Sequence, residues 1–213
     1  MTYSVKEIYF TLQGEGAQTG QPAVFLRFAG CNLWSGRERH RESAVCRFCD
    51  TEFVGTDGRR GGKYRTATEL ANAVATLWPG TAEGRPFVVC TGGEPLLQLD
   101  RSLIDALHAV SFYVAVETNG TIEAPDGIDW LCVSPKGRAA LKQRRGNELK
   151  LVYPQVEAEA APERFEALDF EHFFLQPMDS PARDANTRAA IEYCLEHPRW
   201  KLSLQTHKLI GID

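Results

Sequence analysis

Short runs of β-branched and aromatic residues, separated by helical patterns, constrain the fold of this chain most strongly. Each run is short and apolar, as expected for a buried strand. Helical periodicity between them predicts helices over Thr66–Trp78, Pro95–Val110 and Asn186–His197. Strands that alternate with helices predict an α/β fold with a mostly parallel sheet. The six predicted strands are Val24–Phe28, Phe87–Cys90, Tyr113–Val116, Trp130–Val133, Leu149–Tyr153 and His172–Leu175.

The number of strands distinguishes a closed barrel from a partial one. Six strands are too few to close the eight-stranded barrel, so we expect a partial (β/α) barrel of about six mostly parallel strands. A weaker alternation over Trp200–Ile210 predicts one closing strand. The chain has 213 residues, 43% of them hydrophobic, with no internal repeat and no linker rich in proline and glycine. We therefore expect a single domain over residues 1–213.

Charge and hydropathy narrow the possible partners. The formal net charge is -4 and no sustained basic stripe occurs, which argues against binding to nucleic-acid phosphates. The sequence has no long apolar run and no basic, apolar start typical of an export signal, so we expect neither membrane insertion nor secretion. These features predict a cytoplasmic protein that binds a small molecule, with no nucleic acid and no membrane as partner.

Polar side chains lie at or just beyond the ends of five predicted strands. Because parallel α/β sheets bind ligands at the carboxyl ends of their strands, we expect these side chains to surround a ligand site. Simple solvation of strand ends explains any one of them, but explains the whole set poorly. They are Arg27, Thr91 with Glu94, Glu117 with Asn119, Ser134 with Lys136, and Gln176.

Three cysteines, Cys31, Cys46 and Cys49, are grouped in one stretch of the chain. Thiolates suit zinc or an iron–sulfur cluster, and a cluster held by three of them keeps one iron open for a ligand. A zinc site that adds His40 as fourth ligand is about as probable on these residues alone. The remaining cysteines, Cys90, Cys132 and Cys194, lie in apolar or helical patterns and are expected to pack in the core.

Further motifs accompany the cysteines: Thr91-Gly92-Gly93-Glu94-Pro95 at a strand end and Gln13-Gly14-Glu15-Gly16 near the start. Together these motifs resemble the radical S-adenosylmethionine superfamily and, within it, the 7-carboxy-7-deazaguanine synthases. The resemblance runs from about residue 8 to residue 210. The superfamily usually spaces its cysteines C-x3-C-x2-C, whereas residues 32–45 separate the first two here. We interpret residues 32–45 as an inserted surface loop or short helix, with a modest cost of loop closure.

The resemblance implies a 4Fe-4S cluster held by Cys31, Cys46 and Cys49, and S-adenosylmethionine as second cofactor. Gly93 would let the backbone approach the methionyl ammonium, while Glu94 would either accept from it or brace the turn. The cofactor-binding residues implied are Phe48, Gly93, Glu94, Glu117, Ser134, Pro135, Lys136, Gln176, Pro177, Met178 and Asp179.

The resemblance also implies a site for a pterin and for Mg²⁺. Arg27 would bind the substrate carboxylate, or else form a simple ion pair. Thr51 would contribute a hydroxyl to Mg²⁺, with Asp50 as an acceptor behind it, or else cap the backbone. The substrate-binding residues implied are Leu12, Gln13, Gly14, Glu15, Arg27 and Thr91.

The activity implied is the magnesium-dependent ring contraction of 6-carboxy-5,6,7,8-tetrahydropterin to 7-carboxy-7-deazaguanine with release of ammonia, a lyase reaction in queuosine and deazapurine biosynthesis. A flavodoxin- or ferredoxin-type reductant and a homodimer are implied with it. Two alternatives remain at this point. One is an activase of glycyl-radical enzymes, and the other is a zinc-stabilised interaction module without catalysis.

Overall fold

A single twisted sheet of nine strands forms the centre of the protein in the computed structural model, which describes residues 2–80 and 84–212. The strands are β1 (Tyr3–Leu12), β2 (Pro22–Phe28), β3 (Gly62–Tyr64), β4 (Phe87–Gly92), β5 (Tyr113–Thr118), β6 (Trp130–Val133), β7 (Arg145–Tyr153), β8 (Asp169–Pro177) and β9 (Trp200–Leu202). The helices are α1 (Ala67–Ala75), α2 (Arg101–Ala109), α3 (Arg183–Glu196) and α4 (Thr206–Ile210).

The sheet order is β3-β1-β2-β4-β5-β6-β7-β8-β9. Every neighbouring pair from β2 to β9 is parallel, and β1 runs antiparallel to both β2 and β3. The α/β class and the mostly parallel sheet predicted from the sequence are thereby confirmed. All six predicted strands are present, as β2 and β4 to β8. In the described part of the chain β3 and β9 are the two edges, so the sheet is an open, partial barrel.

Three strands depart from the prediction. Strand β1 was not predicted, because a bulge between Val5 and Glu7 breaks its alternation, and neither was β3, which is only 3 residues long. The predicted closing strand over Trp200–Ile210 is wrong beyond Leu202, because the chain then turns into the short helix α4. The expectation of a single domain over residues 1–213 stays a prediction.

The helices are close to those predicted, and their ends follow local capping. Thr66 accepts the backbone N–H of Glu69 at 3.1 Å and begins α1. The predicted helix over Pro95–Val110 is interrupted: a 3₁₀ turn spans Pro95–Leu97, and α2 begins after Asp100, whose side chain accepts the N–H of Leu103 at 3.0 Å. The helix predicted over Asn186–His197 begins earlier, as α3 at Arg183.

One main hydrophobic core lies between the sheet and α1 and α2. Leu70 and Val74 of α1 and Leu103 and Leu107 of α2 are fully buried in it. Burial of such a side chain contributes roughly 1.5–3 kcal/mol relative to exposure. The predicted core cysteines Cys90 and Cys132 are buried, and Cys194 is half-buried against the core. Within residues 2–80 and 84–212, none of the helices is long and apolar enough to span a membrane.

Candidate active site

A cavity of about 350 Å³ opens at the carboxyl ends of the parallel strands. Its walls are the strand ends, the loop after β1 and the loop that carries the three grouped cysteines. All predicted site residues line it except Glu94 and Pro135. Those that do are Leu12, Gln13, Gly14, Glu15, Arg27, Cys31, Cys46, Phe48, Cys49, Thr51, Thr91, Gly93, Glu117, Ser134, Lys136, Gln176, Pro177, Met178 and Asp179.

The three cysteines face the cavity from one side. The Cys46 thiol hydrogen-bonds to Cys49, and this contact, which outweighs burial, lowers the pKa of Cys49 to about 6. Burial raises the pKa of Cys31, although the backbone N–H of Leu33 donates to its Sγ at 3.4 Å. Three thiols on one wall, one of them with a lowered pKa, provide the soft thiolate ligands that an iron–sulfur cluster needs.

The zinc alternative lacks its fourth ligand. His40 is exposed, its Nδ1 lies 2.8 Å from the hydroxyl of Ser35, and its Nε2 accepts from Arg39 at 3.3 Å. In the described part of the chain no three acidic, histidine or cysteine side chains are grouped tightly enough for a single metal ion. A cubane places each thiolate on a different iron, so its cysteines need not meet at one point.

The turn after β4 packs directly against the cysteine loop. A Cβ atom on Gly93 would collide with the carbonyl oxygen of Gly30 and with the side chain of Cys31. Only glycine therefore allows this turn to approach the first cysteine so closely. Gly93 itself lines the cavity, beside the thiols.

The carboxylate of Glu94 points away from the cavity and is fully buried. It accepts the N–H of Asn119 and the hydroxyl of Thr118, both at 2.7 Å, and the N–H of Leu96 at 3.0 Å. The side chain therefore braces the turn from within, which is one of the two roles that the sequence left open for Glu94, and its contact with the cofactor stays a prediction. Pro135 is likewise buried outside the cavity lining.

The opposite wall contains a buried lysine that the sequence analysis did not single out. The Nζ atom of Lys150 lies 2.5 Å from Glu15 and 3.4 Å from Glu117, and its side chain is only 5% exposed. Burial opposes the charge of Glu15, but Lys150 and Gln205 outweigh it and lower the pKa of Glu15 to about 2. The carboxylate of Glu15 therefore stays charged, and able to accept hydrogen bonds, at neutral pH.

Hydrogen bonds extend this wall to the loop after β1 and to β4. Gln13 donates to Glu117 at 3.0 Å, and the Thr91 hydroxyl donates to the other oxygen of Glu117 at 3.4 Å. The amide of Gln205, which precedes α4, donates to Glu15 at 3.0 Å. Acceptors held in this way suit the edge of a planar ring that carries several N–H groups.

Arg27 is anchored within the sheet and still reaches the cavity. Its Nε donates to Glu7 at 2.9 Å and its Nη2 to the hydroxyl of Tyr9 at 2.8 Å. These contacts realise the ion pair that was the alternative for this residue. They also fix the guanidinium while leaving its Nη1 donors without a hydrogen bond inside residues 2–80 and 84–212.

The ends of β6 and β8 complete the cavity. Lys136 donates to the carbonyl oxygen of Ser134 at 2.8 Å and also to its hydroxyl. Beyond β8, Asp179 accepts from Lys208 of α4 at 2.6 Å, and the same lysine donates to Asp50 at 2.5 Å. The short helix α4 therefore ties the cysteine loop to the end of β8.

Thr51 lines the cavity two residues after Cys49. Its backbone oxygen accepts from the Cys49 thiol at 3.9 Å, and its hydroxyl has no hydrogen bond to any other described residue. The capping role that was the alternative for this hydroxyl is therefore not seen. Asp50, expected to stand behind a metal ion, instead pairs with Lys208.

Several cavity residues were missed because the contacts that define them are distant in sequence. Lys150 lies within a predicted strand, and only its pairing with Glu15 marks it as part of the site. Lys208 falls in the tail wrongly predicted as a strand. Trp34 lies in the inserted loop interpreted as surface, yet is 8% exposed and lines the cavity. The aromatic side chain of Trp34 itself, within an otherwise polar loop, was the one sequence signal that this part of the loop is buried.

An open parallel α/β sheet with three cysteines and a glycine turn at the carboxyl edge of its strands defines a radical S-adenosylmethionine enzyme. Comparisons with known proteins agree. A 7-carboxy-7-deazaguanine synthase of Caulobacter vibrioides is 65% identical over 212 residues, and one of Bradyrhizobium diazoefficiens is 64% identical, each covering 100% of both chains. No model of a known protein family matches the chain.

A solved structure extends the likeness to the fold. The crystal structure of QueE from Escherichia coli is 29% identical and superposes with a TM-score of 0.71, over 97% of this chain and 95% of that one. The chain belongs to the 7-carboxy-7-deazaguanine synthase family. It is a radical S-adenosylmethionine lyase, whose cofactors are a 4Fe-4S cluster and S-adenosylmethionine.

Proposed function

We propose that the protein converts 6-carboxy-5,6,7,8-tetrahydropterin to 7-carboxy-7-deazaguanine and ammonia, with Mg²⁺ as an additional cofactor. The observation that carries this proposal is a single cavity with thiols on one wall and, on the other, two half-buried carboxylates paired with a buried lysine. When bound, the cluster and S-adenosylmethionine supply hydrogen-atom abstraction from a substrate carbon. The protein's own residues must then position the pterin and exclude water.

On the cofactor wall, Cys31, Cys46 and Cys49 would hold the cluster. Gly93 gives backbone access beside them, and Phe48 offers an aromatic face between the paired cysteines. The polar strand ends, including Glu117 of the opposite wall, would complete the S-adenosylmethionine site, because their donors and acceptors surround the same opening. We assign to this site Glu117, Ser134, Lys136, Gln176, Pro177, Met178 and Asp179.

On the substrate wall, Glu15 would accept N–H groups of the pterin edge, since Lys150 keeps this carboxylate charged. The fixed guanidinium of Arg27 would bind the carboxylate of the pterin, and Thr91 would add a hydroxyl contact. We also assign Leu12, Gln13 and Gly14, which line the same cavity, to the substrate site. Two charged side chains, one at each end of the substrate, would orient its reacting carbon toward the cofactor wall.

For magnesium, Thr51 supplies one hard oxygen from the protein. Mg²⁺ commonly takes one or two protein oxygens and completes its octahedron with water and substrate oxygens. Thr51 lines the cavity two residues after Cys49, where its hydroxyl and the substrate's oxygens could share the ion. By resemblance we further propose a flavodoxin- or ferredoxin-type reductant, a homodimer and a cytoplasmic location.

The test is a single anaerobic assay of the reconstituted full chain. The protein, with S-adenosylmethionine, Mg²⁺, dithionite and 6-carboxy-5,6,7,8-tetrahydropterin, should form 7-carboxy-7-deazaguanine and ammonia, both measured by mass spectrometry and an ammonia assay. A protein that cleaves S-adenosylmethionine yet leaves the pterin unchanged over many hours contradicts the proposed substrate. Cys46→Ala is the negative control and Cys194→Ala the matched positive control.

A further inference from the structure

The loop over residues 32–45, between the first two grouped cysteines, is packed around the thiols rather than extended into solvent. Trp34 and Ala44 of this loop are buried together with Phe53 in a small separate hydrophobic cluster. Cys31 and Cys49 are packed against that cluster. Trp34 and Phe53 meet edge to face, with ring centroids 5.7 Å apart. The loop therefore forms part of the immediate surroundings of two proposed cluster ligands.

Arg41 of this loop clamps the segment that carries the paired cysteines. Its Nη1 donates to the carbonyl oxygen of Arg47 at 2.8 Å and to that of Cys49 at 3.1 Å. The guanidinium lies 4.2 Å from the centre of the Trp34 ring and pairs with Glu38. A positive charge, 29% exposed, is thereby held beside Cys49 by four separate contacts.

Trp34 carries a polar atom that lacks a partner. Its indole Nε1 is buried and makes no hydrogen bond to any part of the chain that the structure describes. A buried N–H without an acceptor costs about 1–3 kcal/mol, and native proteins seldom retain one. Trp34 is 8% exposed and lines the cavity that the thiols also face. An acceptor bound in that cavity would satisfy this donor.

We propose that the loop over residues 32–45 sets the reduction potential of the cluster, with Trp34 donating its N–H to a cluster sulfur and Arg41 placing a positive charge beside the Cys46–Cys49 pair. This inference rests on the cluster proposed above. One electron from an external reductant adds one negative charge to the cluster. Hydrogen-bond donors and cations nearby stabilise the reduced form more than the oxidised form, which raises the potential.

The test is a potentiometric titration of the reconstituted full chain with dithionite, without S-adenosylmethionine, followed by EPR of the reduced cluster. Arg41→Met should shift the midpoint to a more negative value. Trp34→Phe keeps the packing against Phe53 but removes the N–H, and should shift it in the same direction. Arg39→Met is the matched control, because it removes the same charge from an exposed position whose guanidinium contacts His40. Its shift should be much smaller.

Iron and sulfide analysis separates the possible failures. If Arg41→Met does not load its cluster, Arg41→Gln, which keeps an amide donor but not the charge, carries the same expectation. A loaded Arg41→Gln protein with the parent's midpoint overturns the role of Arg41, and a loaded Trp34→Phe protein with the parent's midpoint overturns that of Trp34. A parent protein that takes up no iron overturns the proposed function instead.

Discussion

The two walls of the cavity are built in different ways. The cofactor wall consists of loops: the cysteines are close in sequence, and their surroundings come from residues 32–51 and the turn at Gly93. The substrate wall consists of side chains on strands and on the loop after β1, joined by pairs such as Lys150 with Glu15, which are 135 residues apart. The cofactor wall therefore depends on local backbone shape, whereas the substrate wall depends on charges that only the folded sheet brings together.

The largest expected effect lies on the cofactor wall. Replacing Cys31, Cys46 or Cys49 by alanine should abolish cleavage of S-adenosylmethionine, because two thiolates are too few to retain the cluster. The cleavage is measured by chromatography of its product, 5′-deoxyadenosine. Cys90→Ala and Cys132→Ala are controls for thiol loss, since these side chains are buried in the sheet. If a Cys46→Ala protein cleaved S-adenosylmethionine at the parent's rate, Cys46 would not be a ligand of the cluster.

The substrate wall should respond to the loss of its buried cation. Lys150→Met leaves Glu15 and Glu117 without their partner, and should lower the free energy of unfolding by about 3–5 kcal/mol. Lys6→Met is the matched control, because Lys6 also pairs with two carboxylates, those of Glu52 and Asp57, but both are about 80% exposed and regain water. Denaturant titration of both variants measures the difference. Equal losses would contradict the account of a buried, charge-dependent wall.

Arg27 separates substrate binding from cofactor chemistry. Arg27→Ala removes a charge-assisted contact of about 1.5–3 kcal/mol and should weaken binding of 6-carboxypterin roughly 10- to 150-fold. Calorimetry measures the affinity. Cleavage of S-adenosylmethionine without substrate should persist, since Arg27 contacts Glu7 and Tyr9 and no cysteine. If the folded variant bound 6-carboxypterin as tightly as the parent, the ion pair with Glu7 would be the only role of Arg27.

Thr51 should have the smallest effect, because one hydroxyl contributes little of the coordination of Mg²⁺. In metal-stripped protein that retains its cluster, added Mg²⁺ should raise turnover, and Thr51→Val should blunt that rise without altering iron content. Thr56→Val, outside the residues that line the cavity, is the control. A Thr51→Val protein that responds to Mg²⁺ as the parent does would exclude the hydroxyl as a ligand.

The contrast between local and long-range contacts also explains which strands could be predicted from the sequence. The six central strands were predictable because continuous apolar runs mark strands covered on both faces. The bulged strand β1 was not, since buried Lys6 interrupts its apolar pattern and is neutralised by residues some fifty positions away, Glu52 and Asp57. The tail was mispredicted because Thr206 and Gln205 bind Gly14 and Glu15 across the cavity, which outweighs a weak local alternation.

At the site, the motifs that rely on local shape were predictable, and the pairings were not. The cysteines and Gly93 were identified from their spacing and resemblance, and all of them line the cavity. For Glu94 the resemblance left two roles open, and only the folded structure shows the three protein donors that its carboxylate accepts from. Lys150 carries no motif, and its role depends on the two carboxylates that face it.

The most direct test of the account is the metal content of the anaerobically purified full chain, read with its visible spectrum. We expect about four iron and four sulfide per chain after reconstitution, and a broad brown absorption that dithionite bleaches. One zinc per chain with no uptake of iron would contradict it, because the three cysteines would then hold a single closed metal site and the cavity would lack its cofactor.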